Sequence, residues 1–131
     1  MDLFNYSRRE TSVVHVGNVE VGGSNPVRVQ SMTNTATQDT EACVEQAKRI
    51  IDAGADYVRL TTQGVKEAEN LRNINAELRK QGYLNPLVAD VHFTPKVADV
   101  AALYAEKVRI NPGNYLDAPR TFKQVDYTDE E

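Results

Sequence analysis

The chain has one cysteine, Cys43, in 131 residues. That excludes an internal disulfide and any metal centre drawing several cysteines from this chain. No apolar run approaches the ~20 residues a transmembrane helix needs. The opening, MDLFNYSRRE, lacks the apolar segment of a secretory signal, so the expected location is the cytoplasm and no membrane partner is expected. An excess of basic residues is missing too: 15 Lys and Arg face 19 Asp and Glu, a formal charge of −4. A phosphate-reading surface usually makes a whole domain basic, which argues against a nucleic-acid partner. Much of the negative charge is local, because residues 116–131 hold five acids against Arg120 and Lys123. There is also no glycine-rich phosphate loop, since Gly22-Gly23 leads into no helix. What is present is ordinary for a globular protein, 40% hydrophobic and 26% charged.

The pattern is strand, helix, strand. After a polar lead-in, Val13–Val16 and Val19–Val21 alternate around Gly17-Asn18, which predicts a β-hairpin. Val27–Gln30 is the first expected core strand, followed by the polar run Ser31 to Thr35. A helix capped by Asp39 or Thr40 carries the stripe Cys43, Ala47, Ile50, Ile51 and stops at Gly54. Tyr57–Thr61 is a second strand, and Val65–Gln81 a longer helix with the stripe Ala68, Leu71, Ile74, Leu78, ended by Gly82. Leu87–Val91 is a third strand, Pro95 opens a helix to about Tyr104, and Lys107–Ile110 is a fourth strand before the turn formers Asn111-Pro112-Gly113-Asn114. Val29, Val58 and Val88 recur at about 30 residues, the period of β/α units. The expected fold class is α/β: the amino-terminal half of a TIM-like (β/α)8 barrel, with four parallel strands and three helices after a β-hairpin. The expected division is 1–25 lead-in and hairpin, 26–115 partial barrel, and 116–131 an acidic tail or the start of a further unit. Half a barrel leaves strand edges unpaired, so the chain reads as a fragment.

Strands covered on both faces are usually continuously apolar. These alternate instead. Val58 and Leu60 oppose Tyr57, Arg59 and Thr61; Leu87, Ala89 and Val91 oppose Val88, Asp90 and His92; Val108 and Ile110 oppose Lys107, Arg109 and Asn111. With the apolar sides against the helices, Arg59, Asp90, His92, Arg109 and Asn111 project to the barrel axis at the carboxyl ends of the strands, where barrel sites lie. Arg28 and Gln30 extend the row or not according to register. Guanidinium groups there suit a planar, bidentate anion such as phosphate or carboxylate. The plainer reading of the same residues is an internal ion-pair network, Asp90 with Arg59 or Arg109. His92 alone is as compatible with a satisfied hydrogen-bonder as with a ligand or an acid–base group. His15 reads as structural, and Cys43 as a small buried hydrophobe.

The segments VRVQSMTNT, IDAGADYVRLTTQG, PLVADVHF and KVRINPGN, in that order across residues 13–115, closely resemble the amino-terminal half of the 4-hydroxy-3-methylbut-2-enyl diphosphate synthase (IspG, GcpE) family. The resemblance implies an oxidoreductase of non-mevalonate isoprenoid biosynthesis, one that reductively opens 2-C-methyl-D-erythritol 2,4-cyclodiphosphate with two electrons from ferredoxin or flavodoxin and eliminates water. It implies substrate binding by Arg59, His92, Arg109 and Asn111, with Asp90 orienting His92 or an arginine. It also implies a 4Fe–4S cluster in a separate carboxy-terminal domain and a head-to-tail homodimer in which one subunit's cluster caps the other's barrel. That cluster takes three cysteines and a glutamate, none matched here by Cys43, so no catalytic or metal-ligating residue is expected in this chain, and the fragment alone is expected to be inactive. Two other readings stand beside it: a pterin-binding barrel like dihydropteroate synthase, and a non-catalytic half-barrel that binds anions or self-associates through its open edges.

Overall fold

The computed structural model describes residues 4–92 and 94–114. The tail read as an acidic extension or a further unit lies outside them. An antiparallel hairpin, β1 (Val14–Val16) and β2 (Val19–Val21), precedes a four-stranded sheet. Its turn is Gly17-Asn18, with Gly17 at φ 58°, the left-handed region a two-residue hairpin favours. The sheet comprises β3 (Gln30–Met32), β4 (Tyr57–Thr62), β5 (Leu87–Val91) and β6 (Lys107–Arg109), in that spatial order and all parallel. Helices α1 (Thr40–Asp52), α2 (Val65–Lys80) and α3 (Pro95–Ala101) make the crossovers. Strand order following chain order, with one helix per step, is how the first units of a (β/α)8 barrel are built.

Alternation decides the two faces of the sheet. Val58 and Leu60 of β4 and Leu87, Ala89 and Val91 of β5 pack with Cys43, Val44 and Ala47 of α1, Ala68, Leu71, Ile74 and Leu78 of α2, and Val97, Ala98 and Ala101 of α3. The opposite face is apolar only at its amino-terminal end. There Tyr57 and Val88 meet Val16, so the hairpin covers the lower inner surface. The upper inner surface stays polar.

Three element boundaries differ from expectation. The first core strand is Gln30–Met32, not Val27–Gln30, and Val27 is 81% exposed. The ladder starts where Asp56 engages Val29: its carboxylate accepts the Val29 N–H at 2.8 Å, and the Val29 carbonyl accepts from the N–H groups of Asp56 and Tyr57. Backbone pairing thus overrides the apolar pattern at a sheet edge. Helix α3 ends at Ala101 rather than near Tyr104, because Leu103 and Tyr104 bond back three residues instead of four and Asn75 of α2 captures the Tyr104 carbonyl at 2.9 Å. Strand β6 stops at Arg109, one residue short.

Below the sheet, Glu106 ties three elements together. Its Oε1 accepts from Arg79 Nη2 at 2.8 Å and Asn75 Nδ2 at 3.1 Å, both on α2, and its Oε2 accepts the Leu87 N–H at 2.8 Å. Burial raises the carboxyl's pKa, but these donors outweigh it and hold the group below the usual carboxylate range. Glu106→Ala leaves those donors unpaired and is expected to lower unfolding stability by about 1–3 kcal/mol, read from the urea midpoint. An unchanged midpoint would mean the clamp contributes nothing.

Candidate functional site

The upper inner surface is organised by one carboxylate. Asp90 stands in the middle of β5 and its side chain is 4% exposed. Register brings it opposite Thr61 of β4 and Arg109 of β6. Arg59, two residues before Thr61, shares the same face, as does His92, two residues beyond Asp90. Arg59 Nη2 lies 2.7 Å from Asp90 Oδ2, His92 Nε2 3.2 Å from the same oxygen, and Arg109 Nη1 3.1 Å from Oδ1. Three cationic or potentially cationic groups converge on one acid.

This is the ion-pair network that was the plainer reading, yet it does not exhaust the donors. Each guanidinium touches Asp90 through a single terminal nitrogen, although each carries five N–H groups. Arg59 Nε is buried with no partner among the described residues. The side chains of Arg59, His92 and Arg109 remain 26%, 28% and 39% exposed, so the cluster opens to solvent at the carboxyl ends of the strands. Burial pushes the Asp90 pKa up, but the bonds to Arg59, its charge and the imidazole beside it pull the other way, and the net direction is down. An ionised Asp90 favours the His92 tautomer with its proton on Nε2.

The other expected residues fall elsewhere. Asn111 is exposed, and its Oδ1 accepts the Gly113 N–H at 2.9 Å in the turn Pro112–Asn114, so it is not part of the Asp90 network. Arg28 donates from Nε to the Glu20 carbonyl at 2.8 Å and serves the hairpin, and Gln30 sits at the level of Tyr57, below the cluster. Sequence reasoning did not single out Thr33 and Thr61, which border a cavity beside the cluster. The signal was there in the polar run 31–35 directly after a core strand.

No residue here fits a ligand of an iron–sulfur cluster. Cys43 is fully buried on α1, its thiol bonded to the Thr35 hydroxyl and the Ala36 carbonyl. Burial is the main cause that raises its pKa, which disfavours the thiolate a metal needs. Among the described residues no group of three or more His, Cys, Asp or Glu is placed to hold a metal ion, and no helix is long and apolar enough to cross a membrane.

Parallel strands in barrel order, helices on the outer face and a cationic upper rim define a partial α/β barrel. Comparison with known proteins narrows this. The chain belongs to the GcpE TIM-barrel domain family, which matches residues 11–131 and so includes the tail that the sequence motifs did not reach. It is 79% identical over all 131 residues to 4-hydroxy-3-methylbut-2-en-1-yl diphosphate synthase (flavodoxin) of Bacteroides thetaiotaomicron, covering 21% of that protein. Proteins of the same name from Porphyromonas gingivalis and Protochlamydia amoebophila are 60% identical over 117 residues and 50% identical over 123. Those alignments take in 89% and 94% of this chain, but 20% and 19% of the relatives. The chain spans about a fifth of the length of the curated relatives it matches.

The lowered pKa of Asp90 has a definite sign. A carboxyl depressed in the folded state adds stability that is full above its unfolded value, about 4, and is lost as pH falls through the lower folded value. The urea midpoint is therefore expected to fall on acidification below about pH 4. Asp90→Asn should remove part of that dependence, Glu106 supplying the rest, and should cost about 1–3 kcal/mol at neutral pH by leaving the arginines without their acceptor. An unaltered pH profile in the variant would contradict the assigned network.

Proposed function

We propose that this chain supplies part of the substrate-binding barrel of a 4-hydroxy-3-methylbut-2-enyl diphosphate synthase, an oxidoreductase of isoprenoid biosynthesis. The observation that carries this is the Arg59–Asp90–Arg109 cluster with His92, set at the strand ends of a barrel-family domain. The substrate is 2-C-methyl-D-erythritol 2,4-cyclodiphosphate, a cyclic diphosphate whose ring is opened reductively with loss of water. Flavodoxin, which appears in the relatives' names, or ferredoxin delivers the electrons. The working form is a cytoplasmic homodimer.

The residues divide the work by chemistry. Arg59 and Arg109 direct their spare N–H groups at phosphate oxygens, where charge-assisted bonds are strongest. Asp90 takes up part of the positive charge and fixes both guanidinium planes, so little ordering remains to be done when the anion arrives. His92, held by Asp90, donates to a phosphate oxygen or moves a proton at the opening ring. Asn111 and its turn line the rim beside Arg109. The 4Fe–4S cluster, which passes the electrons when bound, has no ligands among these residues, so no step is routed through it here.

The pterin reading has no need of two arginines on one carboxylate. Inorganic diphosphate binding, measured by calorimetry on the intact protein, separates the two. Arg59→Met and Arg109→Met are each expected to weaken it about 10–100-fold, roughly 1.4–2.8 kcal/mol, and raised salt should weaken it further. A pterin should not compete. Undiminished binding in both variants, or displacement of the anion by a pterin, would overturn the assignment. The 131-residue chain reconstituted with iron and sulfide is expected to give no turnover, and turnover would contradict the division of labour.

A further inference from the structure

At the carboxyl ends of β3 and β4 lies a cavity of about 550 Å3, lined by Thr33, Asn34, Thr37, Thr61, Gln63 and Glu67 among others. That is the size of a small-molecule site. It adjoins the cationic cluster through shared walls: Thr61 is the register partner of Asp90, and the Thr33 N–H donates to the Arg59 carbonyl at 2.9 Å. Its chemistry nevertheless differs. No lysine or arginine lines it, and its one charged group is Glu67, whose Oε1 accepts from Gln38 Nε2 at 3.0 Å. A phosphate would meet that carboxylate with no counter-charge, whereas hydroxyls and carboxamides match a neutral group that both donates and accepts.

Most of the lining polar groups are spent inside the protein. The Thr37 hydroxyl donates to the Thr61 carbonyl, and Asn34 Oδ1 accepts from Gln46 Nε2 at 2.8 Å. Thr33 is the exception. It is 5% exposed, and its Oγ1 is buried with no partner among the described residues. Burying a hydroxyl without a hydrogen bond is costly, so such an atom calls for a partner.

We infer that this cavity holds the uncharged, hydroxyl-bearing part of a phosphorylated polyol whose phosphates lie on Arg59, His92 and Arg109, with Thr33 and Thr61 as specificity-determining residues. The inference rests on the anion-binding reading above and deepens it: the cluster holds phosphate, and the threonine cavity selects what the phosphate is attached to. A ligand hydroxyl completes the bond that Thr33 Oγ1 lacks, and the Thr61 hydroxyl, on the same face as Asp90, meets the polyol where it joins the phosphate.

Calorimetry on the intact protein with two probes tests this. Inorganic diphosphate reads the cluster alone, and 2-C-methyl-D-erythritol 2,4-cyclodiphosphate reads cluster and cavity together. Thr33→Val and Thr61→Val keep the shape and remove the hydroxyl. Each is expected to weaken the cyclodiphosphate about tenfold while diphosphate affinity stays within about twofold, and Thr33→Ser is expected to restore the parent value. Equal loss for both probes, or no loss for either, would overturn the inference while leaving the anion site standing. If the unsubstituted protein binds neither probe, the anion-binding reading itself fails and this inference falls with it.

Discussion

The upper half of the sheet depends on the burial of Asp90. A carboxylate this enclosed is tolerated only when ionic partners and hydrogen bonds replace its lost hydration. Arg59, Arg109 and His92 provide them, and in doing so they are drawn from three strands to one point. The geometry follows from register, since Asp90 sits between Thr61 and Arg109 across the ladder and alternation sends all these side chains to one face. One acid cannot use every donor of two guanidinium groups. The surplus faces solvent at the end of the sheet where barrel ligands bind.

The rest of the architecture keeps this cluster in place. The outer face of the sheet is sealed by three helices through a continuous apolar core. The lower inner face is closed by the hairpin, with Val16 against Tyr57 and Val88. Lower still, Glu106 anchors α2 to the starts of β5 and β6. Rigid elements beneath a polar rim suit a binding site, because side chains fixed by packing lose little freedom when a ligand arrives.

Much of this was legible in the residues themselves. The helix stripes, Gly54 and Gly82 as stops, and the alternation of β4 and β5 gave the layers, because burial on one face leaves a strict period in sequence. The same alternation brought Arg59, Asp90, His92 and Arg109 to one surface. Less legible was anything decided by a distant partner. Val27 reads as core but is exposed, since Asp56 sets where β3 begins pairing. Helix α3 stops early because Asn75 takes a carbonyl at its end. Asn111 turns to its own backbone rather than to the cluster, and local pattern does not separate those outcomes. The unpartnered Thr33 hydroxyl shows only once the fold has buried it.

The central claim is that Asp90 orients arginines whose remaining donors await an anion, and Arg59 Nε reports on it most directly. Its N–H resonance, followed by 15N-edited NMR while inorganic diphosphate is added, reads whether that buried donor gains an acceptor. The account predicts a downfield proton shift and slowed exchange with water that saturate with the ligand. An Arg59 Nε–H that neither shifts nor gains protection at saturating diphosphate would reduce the cluster to a structural ion-pair network.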